Sequence, residues 1–251
     1  MPDWLTAVLA IDGLGIIAAT VLIAGIVYGF AGFGSALIVL PVMSRYVAPE
    51  VAIAAFSLSA LASFVTVVPG AWRQADRPAT LQILLASLLI TPFGILALRA
   101  FPEETIRWGI SGLALVTLAA LIAGWRVSLP PGPLPRLAIG GAAGLAGGAT
   151  GLHGPVVILF NLASGLRAET VRANTAVFLT ITSLTMLPQL WAQGLLRTEA
   201  LGLGAALLLL YAVGTALGTR LFRPGYETLY RSVAYTLIGL AALSGLPLWQ
   251  G

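Results

Sequence analysis

The sequence predicts an all-α polytopic membrane protein made of two homologous, inverted repeats. Three observations predict this fold class: the chain is unusually apolar, glycine-rich stretches interrupt its two longest uncharged runs, and the second half repeats residues of the first at one constant spacing. Each repeat is expected to contain a helix hairpin broken by glycine, followed by three transmembrane helices.

Composition supports a membrane location. Hydrophobic residues make up 59% of the 251 residues and charged residues 9%, against about 25% charged in a typical soluble domain. Six uncharged runs have the length of one crossing, which needs about 20 apolar residues, and the first and fifth are longer. The uncharged runs cover residues 13–44, 51–72, 78–98, 108–125, 137–166, 173–196, 200–219 and 232–251.

Charge and cysteine content exclude several classes of function. The chain has no cysteine, which rules out disulfides and thiolate metal sites. Its net charge of +4 comes from arginines in short connections between apolar runs, a distribution typical of charge that orients a membrane protein. We therefore expect a lipid bilayer and a small anionic substrate as partners, with no nucleic acid, no metal and no cofactor. A homo-oligomer is compatible with the sequence.

An internal duplication divides the chain into repeats at residues 1–128 and 129–251. A Pro-rich connector at residues 130–135 begins the second half. Shifted by 119 positions, the first half matches the second at Gly25 and Gly144, Gly29 and Gly148, Gly32 and Gly151, Glu50 and Glu169, Thr66 and Thr185, Pro69 and Pro188, Trp72 and Trp191, and Gln74 and Gln193.

Each repeat is expected to contain two short helical pieces and then three full crossings. Glycine is about 1 kcal/mol worse than alanine in a helix, so the glycine clusters predict breaks near residues 32–34 and 151–153. In hydrocarbon, such loosened backbone must be buried in protein or line water. The predicted helices are 4–31, 35–47, 51–69, 79–99 and 105–125, then 137–150, 154–165, 170–192, 198–219 and 228–248.

The distribution of arginines predicts the orientation. If both long runs enter and return on one side, nine arginines face one side of the membrane and four the other. If each long run crosses once, the split is eight to five. The positive-inside rule favours the first arrangement, and both place the termini outside the cytoplasm. In the first arrangement the four are Arg45, Arg99, Arg107 and Arg197, and the nine are Arg73, Arg77, Arg126, Arg136, Arg167, Arg172, Arg220, Arg223 and Arg231.

The pattern of residues 25–50 resembles the TauE/SafE family. The pattern is Gly-x3-Gly-x2-Gly-x-Gly, an apolar run with Pro41, and Pro-Glu before a small-residue helix. The copy at residues 144–155 and the connection at Glu169 resemble that family's second half. The resemblance implies an exporter of sulfite or organosulfonates in the bacterial cytoplasmic membrane, with the substrate bound between the two halves.

Short helices that start after a break present free N–H groups and a positive dipole end, which favour anions. Ser35 and Thr150 add hydroxyl donors. The alternative is that the glycines only allow close helix packing, most plausibly at Gly140, Gly144 and Gly148. The predicted substrate-binding residues are Gly32, Gly34, Ser35, Thr150, Gly151, His153, Gly154 and Asn174.

His153 and Asn174 are the side chains with the most specific predicted roles. His153 is the only histidine and lies in an uncharged run of 30 residues. Ionisable groups inside a membrane tend to be functional, so His153 is predicted to contact the anion or carry a coupled proton. The alternative is a neutral histidine bonded to a backbone carbonyl. For Asn174, a bond between helices is the alternative to anion binding.

The sequence therefore predicts a secondary transporter, not an enzyme, that exports a small sulfur-containing anion. A passive anion channel is the first alternative, because channels also use broken helices. An intramembrane hydrolase is the second, with Ser35 or Ser164 and His153 as the dyad. The chain contains no G-x-S-x-G and no H-E-x-x-H motif, which disfavours the hydrolase.

Overall fold

A computed structural model of the chain describes residues 6, 8–125, 130, 132–221 and 226–249. Within these ranges all regular structure is helical. Three predictions lie outside the described residues: the helix start at residue 4, the repeat boundary between residues 128 and 129, and the sidedness of Arg126 and Arg223.

The first half contains a broken helix pair and three further crossings. Its elements are α1 (Leu14–Ala31), α2 (Ser35–Met43), α3 (Pro49–Ala60), α4 (Ala62–Thr66), α5 (Val68–Gln74), α6 (Arg77–Ala100) and α7 (Glu103–Ile122). The second half contains α8 (Pro133–Thr150), α9 (Gly154–Ala163), α10 (Ala168–Ala192), α11 (Thr198–Leu221), α12 (Glu227–Ser244) and a final 3-10 turn, Pro247–Trp249.

Three predicted boundaries are wrong. The helix predicted over 4–31 is not continuous, because residues 10–13 form a turn and Gly13 adopts a left-handed φ of 74°. The helix predicted over 51–69 is three pieces; the last interruption falls two residues before Pro69, which lacks an N–H group. The predicted connector at 130–135 overlaps α8, which begins at Pro133, a position that proline favours.

Both predicted breaks are present. Helix α1 ends at Ala31 and α2 begins at Ser35, while α8 ends at Thr150 and α9 begins at Gly154. The caps of the two ending helices, Gly32 and Gly151, have φ values of 78° and 75°. A residue with a Cβ is strained in this left-handed region, so glycine is required where each helix stops.

The glycines inside the helices serve close packing. An added Cβ would lie 2.2 Å from the Ile83 oxygen at Gly140, 2.4 Å from the Ser87 oxygen at Gly144, and 2.3 Å from the Thr91 oxygen at Gly148. Helices α6 and α8 therefore touch backbone to backbone, as small residues allow in membranes. Gly25 and Gly29 form the same kind of contact between α1 and α11.

Six helical segments are long and apolar enough to cross a membrane, among the residues that the structure describes. They include Leu14–Ala31, which preserves the alternative in which the first long run crosses fully. Helix α12, expected as a crossing, is not among them. The six are Leu14–Ala31, Pro49–Thr66, Arg77–Ala100, Glu103–Ile122, Ala168–Ala192 and Thr198–Leu221.

Candidate functional site

The two breaks line a single cavity inside the helix bundle. From the first break the cavity is lined by Gly34 and Ser35, and from the second by Gly151, His153 and Gly154. Its volume is about 30 Å³, above the roughly 10–15 Å³ that a buried water needs. Segments more than a hundred residues apart in sequence thus form one site.

Two helix starts contribute to the wall of this cavity. Helix α2 begins at Ser35 and α9 at Gly154, and neither preceding residue caps its helix with a side-chain hydrogen bond. The first N–H groups of a helix have no partner within that helix, and the dipole gives this end a partial positive charge. The cavity can therefore stabilise an anion without a buried cation in its wall.

Ser35 is the hydroxyl best placed to donate to a ligand. The Tyr211 hydroxyl, from α11, donates to Ser35 Oγ at 3.0 Å, and both side chains are buried. No hydrogen bond donated by Ser35 occurs among the described residues, so its own proton remains available to a group in the cavity. Tyr211 also fixes the position of the serine hydroxyl.

A second hydroxyl cluster stabilises the opposite part of the wall. Tyr28 donates to the Ala176 carbonyl at 2.9 Å and lies 3.0 Å from Thr180 Oγ1. Ser63 Oγ lies 2.9 Å from Thr180 Oγ1 and donates to the Ala60 carbonyl. Tyr28 and Ser63 each direct their hydroxyl proton to a carbonyl. The Thr180 proton is therefore donated to one of these two hydroxyls. This cluster orders the wall rather than donating to a ligand.

His153 is held between two helices. Its ring packs on Gly147, where an added Cβ would lie 2.2 Å from the imidazole. The ring is hydrogen-bonded to the Gly151 backbone, and Nε2 lies 3.4 Å from Thr91 Oγ1, whose hydroxyl also donates to the Ser87 carbonyl. The side chain is 6% exposed. A neutral imidazole satisfies this geometry while still lining the cavity.

Three predicted site residues do not line this cavity. Thr150 donates to the Ala146 carbonyl and accepts from the Leu152 N–H, so its hydroxyl caps its own helix. A side chain at Gly32 would collide with Arg172, whose guanidinium donates to the Gly29 carbonyl. Asn174 lines a different cavity.

The two breaks have similar packing but different chemistry. The space beside Gly32 is filled by Arg172, and Ile53 lies beside Gly151. Ile53 is the residue of the first repeat that corresponds to Arg172, since the two are 119 positions apart. A cation near the C-terminal end of α1 offsets the negative dipole end there. The second break receives an apolar side chain at the matching position, so the duplication does not extend to the charge at this position.

The second cavity is larger and lies where α6, α8, α9 and α10 meet. Its volume is about 330 Å³. Asp76, Arg136, Asn161 and Asn174 contribute polar groups, and apolar side chains form the rest of its wall.

Sequence reasoning missed the tyrosines and their partners. Tyr28, Ser63, Thr180 and Tyr211 all line the central cavity, yet none was predicted as a site residue. One usable signal was present, because tyrosines within small-residue apolar helices are polar groups that need a buried partner.

The dyad required by the hydrolase alternative is not formed. The Ser35 hydroxyl pairs with Tyr211, and Ser164 donates to the Asn161 carbonyl. Neither serine is hydrogen-bonded to His153 among the described residues. Those residues also contain no cluster of three His, Asp or Glu side chains suited to a metal ion.

A family comparison covers both breaks and both cavities. The sequence profile described as "Sulfite exporter TauE/SafE" matches residues 17–245. The chain belongs to this family. Comparison with curated proteins and with solved structures gave no match. As a TauE/SafE protein, the chain is a multi-pass membrane protein from a family of sulfite exporters, which confirms the resemblance found in its glycine pattern.

Proposed function

We propose that this protein is a secondary transporter that exports a small sulfur-containing anion, sulfite or an organosulfonate, through the central cavity. The observation that carries the proposal is that two uncapped helix starts line the same cavity. Sulfite and sulfonates each carry three oxygens, and N–H groups from two helices together with the Ser35 hydroxyl supply several donors to them. Gly34, Ser35, Gly151, His153 and Gly154 form this anion site.

The central cavity must widen for transport. Its volume of about 30 Å³ is too small for a sulfite or sulfonate anion. In the proposed carrier the helices around the cavity therefore move with each anion, and such a cycle saturates. The residues that enclose the space beside the breaks, including Ile158 and Leu179, must shift for a sulfonate to bind.

Recurring helix boundaries support two structural repeats, and the proposed orientation of the two is inverted. The equivalent helices α1 and α8 begin at residues 14 and 133, α2 and α9 at 35 and 154, and α3 and α10 at 49 and 168. Each broken helix packs most extensively on the other repeat, α1 on α11 and α8 on α6. Such crosswise packing suits two repeats, 1–128 and 129–251, that rock against each other around the site.

The proposed location is the bacterial cytoplasmic membrane, with both termini on the non-cytoplasmic side. The arginine split of nine to four supports this orientation through the positive-inside rule. The side that carries Arg73, Arg77, Arg136 and Arg167 would face the cytoplasm, and the larger cavity would open towards that side.

Flux measurements test the function. Purified protein in proteoliposomes is expected to transport sulfite or a sulfonate such as sulfoacetate, with saturation and with stimulation by counter-anion on the opposite side. Flux that rises linearly with concentration would identify a channel instead. Absence of flux for every small sulfur anion, in protein shown by its thermal transition to be folded, would contradict the proposal.

Proton coupling through His153 makes a separate prediction. Replacing His153 with glutamine keeps a polar side chain near Thr91 but removes the only imidazole of the chain. If His153 carries a coupled proton, transport by the variant will lose its dependence on a pH gradient while retaining substrate binding. Gradient-driven transport that persists in His153→Gln would assign the coupling to another group.

A further inference from the structure

The larger cavity has the dimensions and wall of a small-molecule site. Its volume of about 330 Å³ lies within the range of about 300–1,000 Å³ typical of ligand pockets. Ile83, Val157, Phe160 and Phe178 form apolar parts of the wall. It has about ten times the volume of the central cavity.

Two opposite charges line this cavity without pairing with each other. Asp76 and Arg136 are both part-buried, and no ion pair joins either of them to another described residue. Arg136 donates one guanidinium N–H group to Gln82 at 3.2 Å, which fixes the side chain and leaves other donors available. Asp76 Oδ1 accepts from the Ala79 N–H and caps α6, so its second oxygen can accept from a ligand.

A buried hydroxyl in the same wall lacks a partner. Thr80 is 3% exposed, and its Oγ1 makes no hydrogen bond among the described residues. Thr80 Oγ1 is closed to water, so the apolar part of this side chain faces the cavity. Asn174 is oriented beside it, because Oδ1 accepts from the Asp76 N–H at 2.7 Å and the amide nitrogen stays available.

We infer that the larger cavity binds a small zwitterion that carries an oxyanion and an ammonium group on a short chain. The oxyanion pairs with the Arg136 guanidinium and accepts from Asn174, while the ammonium donates to Asp76. A ligand with only a negative charge would pair with Arg136 but would leave the Asp76 carboxylate without a partner and would be repelled by it. The inference concerns binding, so it stands or falls independently of export through the central cavity.

Two probes of matched size distinguish a zwitterion site from an anion site. Taurine carries an ammonium group where isethionate carries a hydroxyl, and both end in a sulfonate. Isothermal titration of the full chain in nanodiscs is expected to show taurine binding at least ten times tighter than isethionate. Asp76→Asn should remove that difference, and asparagine remains a good helix cap, so folding is retained. Arg136→Gln should weaken both probes at least tenfold.

Controls from the same region separate specific pairing from general charge. Arg167 and Glu169 form an exposed ion pair near the start of α10, so Arg167→Gln and Glu169→Gln remove the same charges away from the cavity and should leave taurine binding unchanged. Thr80→Val is a further control that should change neither taurine binding nor the thermal transition, because its Oγ1 is closed to water and has no partner among the described residues.

Four results would overturn the inference. One is equal binding of the two probes by the unaltered protein. Another is undiminished taurine affinity in a folded Asp76→Asn variant. The third is the absence of any saturable taurine binding to folded protein. Loss of taurine binding in Ser35→Ala with retention in Arg136→Gln would place the ligand in the central cavity and would also contradict it.

Discussion

Replacing Gly144 with alanine will destabilise the protein, whereas the same replacement at Gly141 on the same helix will not. A Cβ at Gly144 would lie 2.4 Å from the Ser87 carbonyl oxygen and 3.0 Å from its Cα. Backbone cannot rotate away as a side chain can, so α6 and α8 must separate. Overpacking of this kind costs about 1–3 kcal/mol.

Gly141 provides the matched control. Its added Cβ would make only an ordinary contact, 3.7 Å from Ile90 Cγ1, and alanine is favoured over glycine in a helix by up to about 1 kcal/mol. Thermal unfolding in detergent should therefore show a lower midpoint for Gly144→Ala and an equal or higher one for Gly141→Ala. Equal midpoints for the two variants would contradict direct backbone contact between α6 and α8.

Removing the Ser35 hydroxyl is expected to weaken substrate binding by about ten- to a hundredfold. A hydrogen bond to a charged group contributes roughly 1.5–3 kcal/mol, and about 1.4 kcal/mol corresponds to tenfold in affinity. Ser35→Ala also leaves the buried Tyr211 hydroxyl without its acceptor, so the variant should unfold at a lower temperature. Tyr211→Phe in that background should restore part of the lost stability.

A double-mutant cycle on Ser35 and Tyr211 separates their roles. Tyr211→Phe alone should weaken transport less than Ser35→Ala, because the serine proton remains but its position is no longer fixed. In the Ser35→Ala background, Tyr211→Phe should weaken transport no further, since the pair acts as one unit. Ser232→Ala is the control, because this exposed serine donates only to its own helix. Additive losses in the cycle would show that Tyr211 acts independently of Ser35.

Glycine patterns predicted the breaks but not the role of each glycine. Density distinguished Gly32, Gly34, Gly151 and Gly154 from the glycines at four-residue spacing. The first three adopt positive φ, whereas Gly154 is the first residue of α9. For Gly144 and Gly148, packing and anion binding were both open at the level of sequence. Backbone contacts with α6 decide for packing, because only the approach of a second helix shows what each missing side chain makes room for.

Residue type likewise predicted only part of the site. Ser35 was predicted as a hydroxyl donor at a helix start and His153 as the ionisable group of an uncharged run, and both line the central cavity. Asn174 was predicted as an amide donor to the same anion but lines the larger cavity with Asp76 and Arg136. Periodicity places a side chain on a helix face, whereas the crossing of neighbouring helices decides which cavity that face meets.

The sequence by itself determined the membrane class, the duplication, the family and the positions where two helices stop. These properties depend on composition and on local backbone preference, and both are set within each segment without contacts to the rest of the chain. Only the tertiary structure decided that both breaks line one cavity, that Tyr211 positions Ser35, and that a second cavity has unpaired charges of both signs. These features arise between helices distant in sequence, and their geometry depends on how closely glycine lets those helices approach.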